Sequence, residues 1–351
     1  MPEQTQGGAL VRLFIALMAV VFVAALATLL AGYLWLMQPT HNQSERTIEI
    51  SRGDTLYGLA QQWQDDGWLP SALALRLAAR LKGSGGDIRV GEYSVPPALT
   101  VFELLSFLAT APAHTYRVTL IEGRPLREAL AALASAEHLT QDVAPLTPDT
   151  VAQYLGLSGS PEGRLYPDTY VYHRNEPVSS ILTQAHERLA KVLAEEWQQR
   201  EKGLPYASPD EALVMASIIE KETGVGSERP TIAGVFVRRL QSNMRLETDP
   251  TVIYGLGPDF DGNLTRKHLR DRSNPYNTYR NKGLPPGPIA LAGRAAIHAA
   301  LHPAAGKALY FVAKGDGSHY FSETLSEHNK AVREYQLSRR ADYRSSPAPS
   351  Q

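Results

Sequence analysis

From Leu13 to Met37 the chain carries no charged side chain. A run this long and apolar has few options. As a helix it satisfies its own backbone and spans the ~30 Å hydrocarbon core of a bilayer. Arg12 stands before it, and Tyr33 and Trp35 lie near its far end, where amphipathic rings favour the membrane interface. The competing reading is a cleaved signal peptide, with Ala25-Leu26-Ala27 as the small-residue site. The run continues past that site through Leu36, longer than a signal peptide needs. The expectation is therefore an uncleaved single-pass anchor at 13–37, with 1–12 left in the cytoplasm and the bulk of the chain exported.

The remainder is large enough for two or three domains with real cores. The formal net charge of the 351 residues is −1, which gives no electrostatic case for nucleic acid. Cysteine is absent, which excludes disulfides and thiolate metal sites. His298 and His302 have a zinc-compatible spacing, but no glutamate lies between them and Pro303 ends the helix they would share. Gly255-Leu256-Gly257 lacks the strand and helix of a dinucleotide site. Neither a metal nor a cofactor is expected.

Polar residues 38–47 form a linker. Ile48 and Ile50 alternate as a strand, and Arg52-Gly53-Asp54-Thr55 makes a turn and a helix cap. Leu56, Leu59, Ala60 and Trp63 mark a first helix, Leu73, Leu77 and Leu81 a second. Gly83 to Gly86 breaks the pattern before a strand from Ile88 to Val95. This order resembles a LysM-like module, a class that binds cell-wall glycan; a plain spacer domain fits it as well. The module is placed at 48–112, with a short helix from Val101 to Leu108. Residues 113–205 form a connecting part: a strand at Tyr116 to Ile121, a helix at Pro125 to Ala134, an aromatic block Glu162 to Tyr170 containing Asp168, and a long helix from Val178 to Glu201. Residues 206–342 follow as a helix-rich part with a hairpin (Leu309 to Ala313, His319 to Ser322) and a closing helix, and 343–351 reads as a disordered Ser/Pro-rich tail. The fold class is α+β.

The chemistry concentrates after Ser208. Ser208 is placed as N-cap, Pro209 at the first helical position and Glu211 in a capping box. Ala212 to Ile219 is almost entirely apolar, so this helix is buried. It ends in Glu220-Lys221-Glu222-Thr223. A carboxyl at the edge of such a run loses solvation, its pKa rises, and it can remain protonated near neutral pH. A general acid acting on a glycosidic oxygen needs that state. The two glutamates are two positions apart and point to different sides of the helix. A solvated helix end is the bland alternative. Asp249, ahead of Pro250 in a block of turn formers, is a candidate second carboxylate or simply a loop anchor.

Downstream stand Met244-Arg245-Leu246-Glu247-Thr248-Asp249-Pro250-Thr251-Val252-Ile253-Tyr254-Gly255, Tyr276-Asn277-Thr278-Tyr279 and Gly283-Leu284-Pro285-Pro286-Gly287-Pro288-Ile289. Together with the Glu220 block, these resemble the signature blocks of the YceG-like endolytic murein transglycosylase family. The chain departs from that pattern at Arg238, at Glu247 and at Leu291-Ala292-Gly293. The resemblance implies that Glu220 is the catalytic acid. It also implies a substrate of peptidoglycan glycan strands, cut internally to leave 1,6-anhydromuramic ends, and a single-pass inner-membrane anchor with the catalytic part in the periplasm. Peptidoglycan synthases are the implied partners. Glycan contacts are expected from Asp168, Thr223, Thr248, Asp249, Tyr254, Asn277, Thr278, Tyr279, Pro285, Pro286, Gly287, His319 and Phe321. A non-catalytic wall-binding scaffold and a hydrolytic muramidase are the alternatives.

Overall fold

The computed structural model of the chain describes residues 6–51, 53–83 and 89–337. Two compact units divide it. The first takes in the chain to Tyr116 and also His173–Asn175; the second comprises Arg117–Tyr172 and Glu176 onward.

The first unit opens with α1 (Gln6–Leu36). Its apolar stretch Val11–Leu36 has 26 residues, none of its most apolar window is buried, and at ~1.5 Å per residue it reaches about 39 Å, long enough to cross a membrane. β1 (Arg46–Ile50) pairs antiparallel with β2 (Gly91–Val95), Ile48 opposite Tyr93. Between the strands lie α2 (Leu56–Asp65), capped by Thr55, and α3 (Ala72–Lys82), capped by Ser71 and closed by Gly83 at φ 68°. α4 (Val101–Thr110) follows, with a complete Thr100–Glu103 capping box. The predicted inward face of α2 is buried, and the Trp63 and Trp68 rings meet at 5.1 Å in the core. α3 behaves differently. Its buried residues are Ala72, Ala74, Leu75, Ala78 and Ala79, small enough for close packing on α2 and α4. The leucines that mark the helix in the sequence face outward. Arg52 of the expected turn, and residues 84–88 of the expected break and strand, lie outside the described residues.

The second unit pairs β3 (Tyr116–Thr119) with β4 (Thr169–Tyr172), and α5 (Leu126–Ala134) and α6 (Pro148–Tyr154) lie between them in sequence. Next come α7 (Val178–Gln198), α8 (Pro209–Glu222), α9 (Arg229–Gln241), α10 (Asp249–Leu256), α11 (Arg266–Arg270) and α12 (Arg294–Leu301). The hairpin of β5 (Tyr310–Ala313) and β6 (His319–Ser322) forms as expected, and α13 (Leu325–Val332) runs into a π turn at Arg333–Leu337. The expected end of the closing helix and the tail at 343–351 lie outside the described residues.

α8 is the centre of this unit. Every residue from Ala212 to Ile219 is buried, against α7, α9, α10 and α12. A helix so enclosed holds its terminal residues in fixed directions, which is what positions a site. Ser208 caps it by accepting from Glu211 N at 3.3 Å, but the Glu211 carboxylate accepts from Ala207 N, so the capping box is half made. The buried Ser217 hydroxyl accepts from Ile289 N at 3.0 Å and donates to Val214 O at 2.7 Å. That link fixes the segment after the proline loop to the helix. The block at Thr248–Gly255 forms α10 rather than a set of turns, because Pro250 falls in the first turn, where its missing N–H costs nothing.

Candidate active site

The two glutamates at the end of α8 have opposite surroundings. Glu222 opens on a cleft of about 620 Å³ lined also by Arg239, Thr248, Asp249, Tyr279, Tyr310 and His319. Its carboxyl is hydrogen bonded to the Thr248 hydroxyl. Thr248 is the cap residue of α10, and its backbone is held in turn: its N–H donates to Thr278 Oγ1 at 3.1 Å and its carbonyl accepts from Thr251 Oγ1 at 2.7 Å. Loss of solvation pushes the Glu222 carboxyl up to about 7; the nearby Asp249 charge adds to this, and the Thr248 hydrogen bond and Arg239 oppose it.

Glu220 points the other way. Its side chain is only 4% exposed and forms an ion pair with Arg229 at 2.8 Å. Its second oxygen accepts from Gly293 N at 3.0 Å. It does not line the Glu222 cleft. Glu122 is packed beside Gly293, and burial together with the Glu220 charge raises its carboxyl. Glu222 therefore faces the cleft and Glu220 faces Arg229, because side chains two positions apart on a helix leave on different faces.

The other expected contacts divide between the cleft and the frame that builds it. Asp249 and Tyr279 line the cleft together, the Tyr279 hydroxyl donating to Asp249 Oδ1 at 2.7 Å. His319 lines it from β6; its N–H donates to Glu228 Oε1 at 2.9 Å, and its ring Nδ1 lies 2.7 Å from Glu228 Oε2. Thr223 is buried behind Glu228 and caps the local turn by accepting from Val225 N at 2.9 Å. Phe321 packs with Phe311 against the core. Asn277 and Thr278 are almost wholly buried. The Asn277 amide donates to the carbonyls of His268 and Asp271 and its oxygen accepts from Tyr279 N, so it holds the loop together instead of facing a sugar. Tyr254 stacks edge-on against Tyr276 and donates to the buried Glu162 at 3.2 Å, away from the cleft. Asp168 forms an ion pair with Arg188 at 2.5 Å. Pro285, Pro286 and Gly287 line a separate depression of about 540 Å³ with Arg164, Asp210 and Glu211.

Arg239 is the main residue the sequence reading passed over. It sits on the inward face of α9, and its guanidinium donates to the carbonyls of Leu309 (2.7 Å) and Leu246 (2.9 Å), tying β5 and the α10 approach together. The signal was available: Ile232, Val235, Phe236 and Arg239 share one helical face, so an arginine stands where the pattern calls for an apolar residue. His328, also on the cleft, stacks on Tyr310 at 5.3 Å, and burial favours its neutral form. Glu196, His298 and His302 form a group among the described residues that could hold a metal, with ligand atoms within 4.8 Å of one another. Glu196 already accepts from Arg294 at 3.1 Å and lies 2.8 Å from His298 Nδ1, and the group is outside the cleft. It reads as an ion-paired contact between α7 and α12.

Residues 48–334 match the YceG-like family. A Bacillus subtilis (strain 168) protein named endolytic murein transglycosylase is 32% identical over 322 residues, 86% of this chain and 88% of that one. A Streptococcus pneumoniae serotype 2 (strain D39 / NCTC 7466) protein of the same name is 30% identical over 179 residues, half of this chain and 32% of its own length. A 2.6 Å crystal structure of a YceG-like protein from Listeria monocytogenes superposes with a TM-score of 0.51 at 29% identity, covering 82% of this chain and 99% of the other.

Proposed function

Because this chain belongs to the YceG-like family, we propose that its lytic transglycosylase chemistry is carried by Glu222 as the single acid and base. The protein is an endolytic murein transglycosylase. Glu222, in its protonated form, gives its proton to the oxygen of the β-1,4 bond between N-acetylmuramic acid and N-acetylglucosamine. The bond to C1 breaks as the muramic ring gains oxocarbenium character. The C6 hydroxyl of the same muramic residue then attacks C1 and returns its proton to the Glu222 carboxylate. The products are a free 4-hydroxyl on one side and a 1,6-anhydro end on the other, and no water is consumed.

The observation that carries this reading is the contrast at the end of α8: one carboxyl on the cleft with its pKa near 7, the other enclosed with a guanidinium. Arg239 and Asp249 set the local field, Thr248 fixes the rotamer, and Tyr279, Tyr310, His319 and His328 offer ring and imidazole surface for a glycan. α1 is the membrane anchor in this reading, with the catalytic part in the periplasm where new strands emerge. The βααβ order of the first unit supports a LysM-like glycan-binding role for 48–112, with the chemistry in 206–342. Peptidoglycan synthases are the partners such placement would serve. Digestion of purified glycan strands by the wild type, Glu220→Gln and Glu222→Gln tests the assignment. Internal cuts with anhydro ends, lighter than hydrolytic ends by one water, are expected from all but Glu222→Gln. Reducing muramic ends as the main product would instead indicate a muramidase.

A further inference from the structure

α3 shows outward the residues that most helices hide. Leu73, Leu77 and Leu81 recur every fourth residue on one face and are 63%, 40% and 66% exposed. Tyr57 of α2, 66% exposed, joins the same surface through Arg76, whose guanidinium lies 3.3 Å from the Tyr57 ring centroid and donates to Tyr57 O. Outside α1, the second unit's large exposed apolar residues are single ones scattered along its chain, which need no explanation. A regular stripe of three leucines on one helix does.

Two features identify what covers it. The first is charge. The α3 sequence Ala72-Leu73-Ala74-Leu75-Arg76-Leu77-Ala78-Ala79-Arg80-Leu81-Lys82 has three cations and no acid. Arg80 and Lys82 suit the negative end of a helix, but that does not account for the leucines beside them. Leucine flanked by arginine and lysine is the composition of helices that lie in a bilayer interface, with the apolar side in the acyl region and the cations among anionic headgroups. The second feature is continuity. α3 packs against α1 within the same unit, and Trp35 and Leu36 at the end of α1 pack onto that unit's core. The membrane surface at the exit of α1 is therefore adjacent to α3.

We propose that α3 is an interfacial helix, seated through Leu73, Leu77 and Leu81 in the leaflet that α1 leaves at its C-terminal end and held there by anionic phospholipid. The proposal rests on α1 being the membrane anchor. It makes the first unit a platform bound to the membrane at two points, with Arg80 reaching headgroup phosphates while Arg76 stays on Tyr57 and Lys82 on Ser106.

The chain has no cysteine, so single labels are clean. The full chain is reconstituted in vesicles of phosphatidylcholine with phosphatidylglycerol, carrying an environment-sensitive fluorophore on Leu73→Cys, Leu77→Cys or Leu81→Cys. Leu26→Cys in α1 and the exposed Gln153→Cys serve as the membrane and water references. The three α3 labels are expected to shift to the blue, to be quenched by nitroxides on lipid chains and to be shielded from aqueous iodide, less so when phosphatidylglycerol is omitted. If they are quenched by iodide and not by lipid nitroxides while the Leu26 label is lipid-quenched, the seating of α3 is wrong and the anchor stands. If the Leu26 label is also not lipid-quenched, the anchor reading fails and the proposal with it. Shielding that disappears as the protein is diluted into excess lipid would show that a second copy covers the stripe, which also overturns the proposal.

Discussion

The two sides of the α8 terminus hold the same functional group under opposite physics. On one side the Glu220 carboxylate is almost fully enclosed, yet a guanidinium and a backbone N–H compensate its charge. On the other side Glu222 has one threonine hydroxyl as partner and a second carboxylate, Asp249, close enough to repel its charge. Loss of water alone does not make an acid; loss of water without a matching cation does. Of the two glutamates, the second lines the cleft and burial raises its pKa to about 7, whereas the first does not reach that cleft. The first serves as a structural pair that pins α9 and the start of α12 to the end of α8.

The comparison breaks most directly by removing each proton in turn. Glu222→Gln keeps the shape and loses the titrating group, and glycan cleavage should fall by on the order of 10²–10⁴-fold, the usual general-acid contribution. Glu220→Gln should leave turnover within about tenfold. Its damage should appear in thermal unfolding, because the amide leaves the Arg229 charge, 17% exposed, without its counter-charge. Rates showing the reverse order would return the acid role to Glu220.

The pH dependence sharpens the same contrast. The folded-state pKa of Glu222 is raised, to about 7, above its ordinary 4.5. Such a group contributes stability that is fully present below 4.5 and is lost as pH rises through about 7, because the unfolded chain releases the proton more readily. Activity needs the protonated form, so the basic limb of the rate profile should fall through the same region. Glu222→Gln should flatten the decline in stability between pH 4.5 and about 7, which denaturant titrations at several pH values would read.

Much of this is legible in the sequence. The buried α8, the hairpin, α7 and the βααβ order all follow from periodicity and turn residues, since burial of one face dictates the pattern of each element. Two things were hidden. Periodicity says that Glu220 and Glu222 diverge, but which one meets the Arg229 guanidinium depends on how the turn into α9 folds back, and its second partner, Gly293 N, is brought close only by packing. The loop residues Asn277 and Thr278 look like substrate ligands as an exposed polar block, yet they turn inward: Asn277 donates to the carbonyls of His268 and Asp271, and Thr278 bonds the Thr251 hydroxyl and accepts from Thr248 N. The α3 leucines mark a helix correctly while facing out, since alanines fill its inward side.

Asn277 separates framework from cleft. Asn277→Ala strips its donors from the His268 and Asp271 carbonyls, and the unsatisfied buried groups should cost about 1–3 kcal/mol of stability. If the residue only holds the loop, the KM for glycan stays near the wild-type value at temperatures where the variant is folded. A large rise in KM with unchanged melting would place Asn277 in contact with the sugar.

Thr248→Ala should have the smallest effect and the most specific one. The hydroxyl lowers the Glu222 pKa against the effect of burial. Without it the carboxyl holds its proton to higher pH, and the basic limb of the rate profile should move upward. Turnover at low pH should fall only a few-fold, on the scale of one modest hydrogen bond, as the carboxyl loses its fixed rotamer. The melting temperature should change little, because Thr248 N–H and carbonyl keep their bonds to Thr278 and Thr251. A purely structural threonine would lower stability and leave the limb in place. A limb that moves downward, or stays fixed with full activity, would mean that the titrating acid lies elsewhere than beside Thr248.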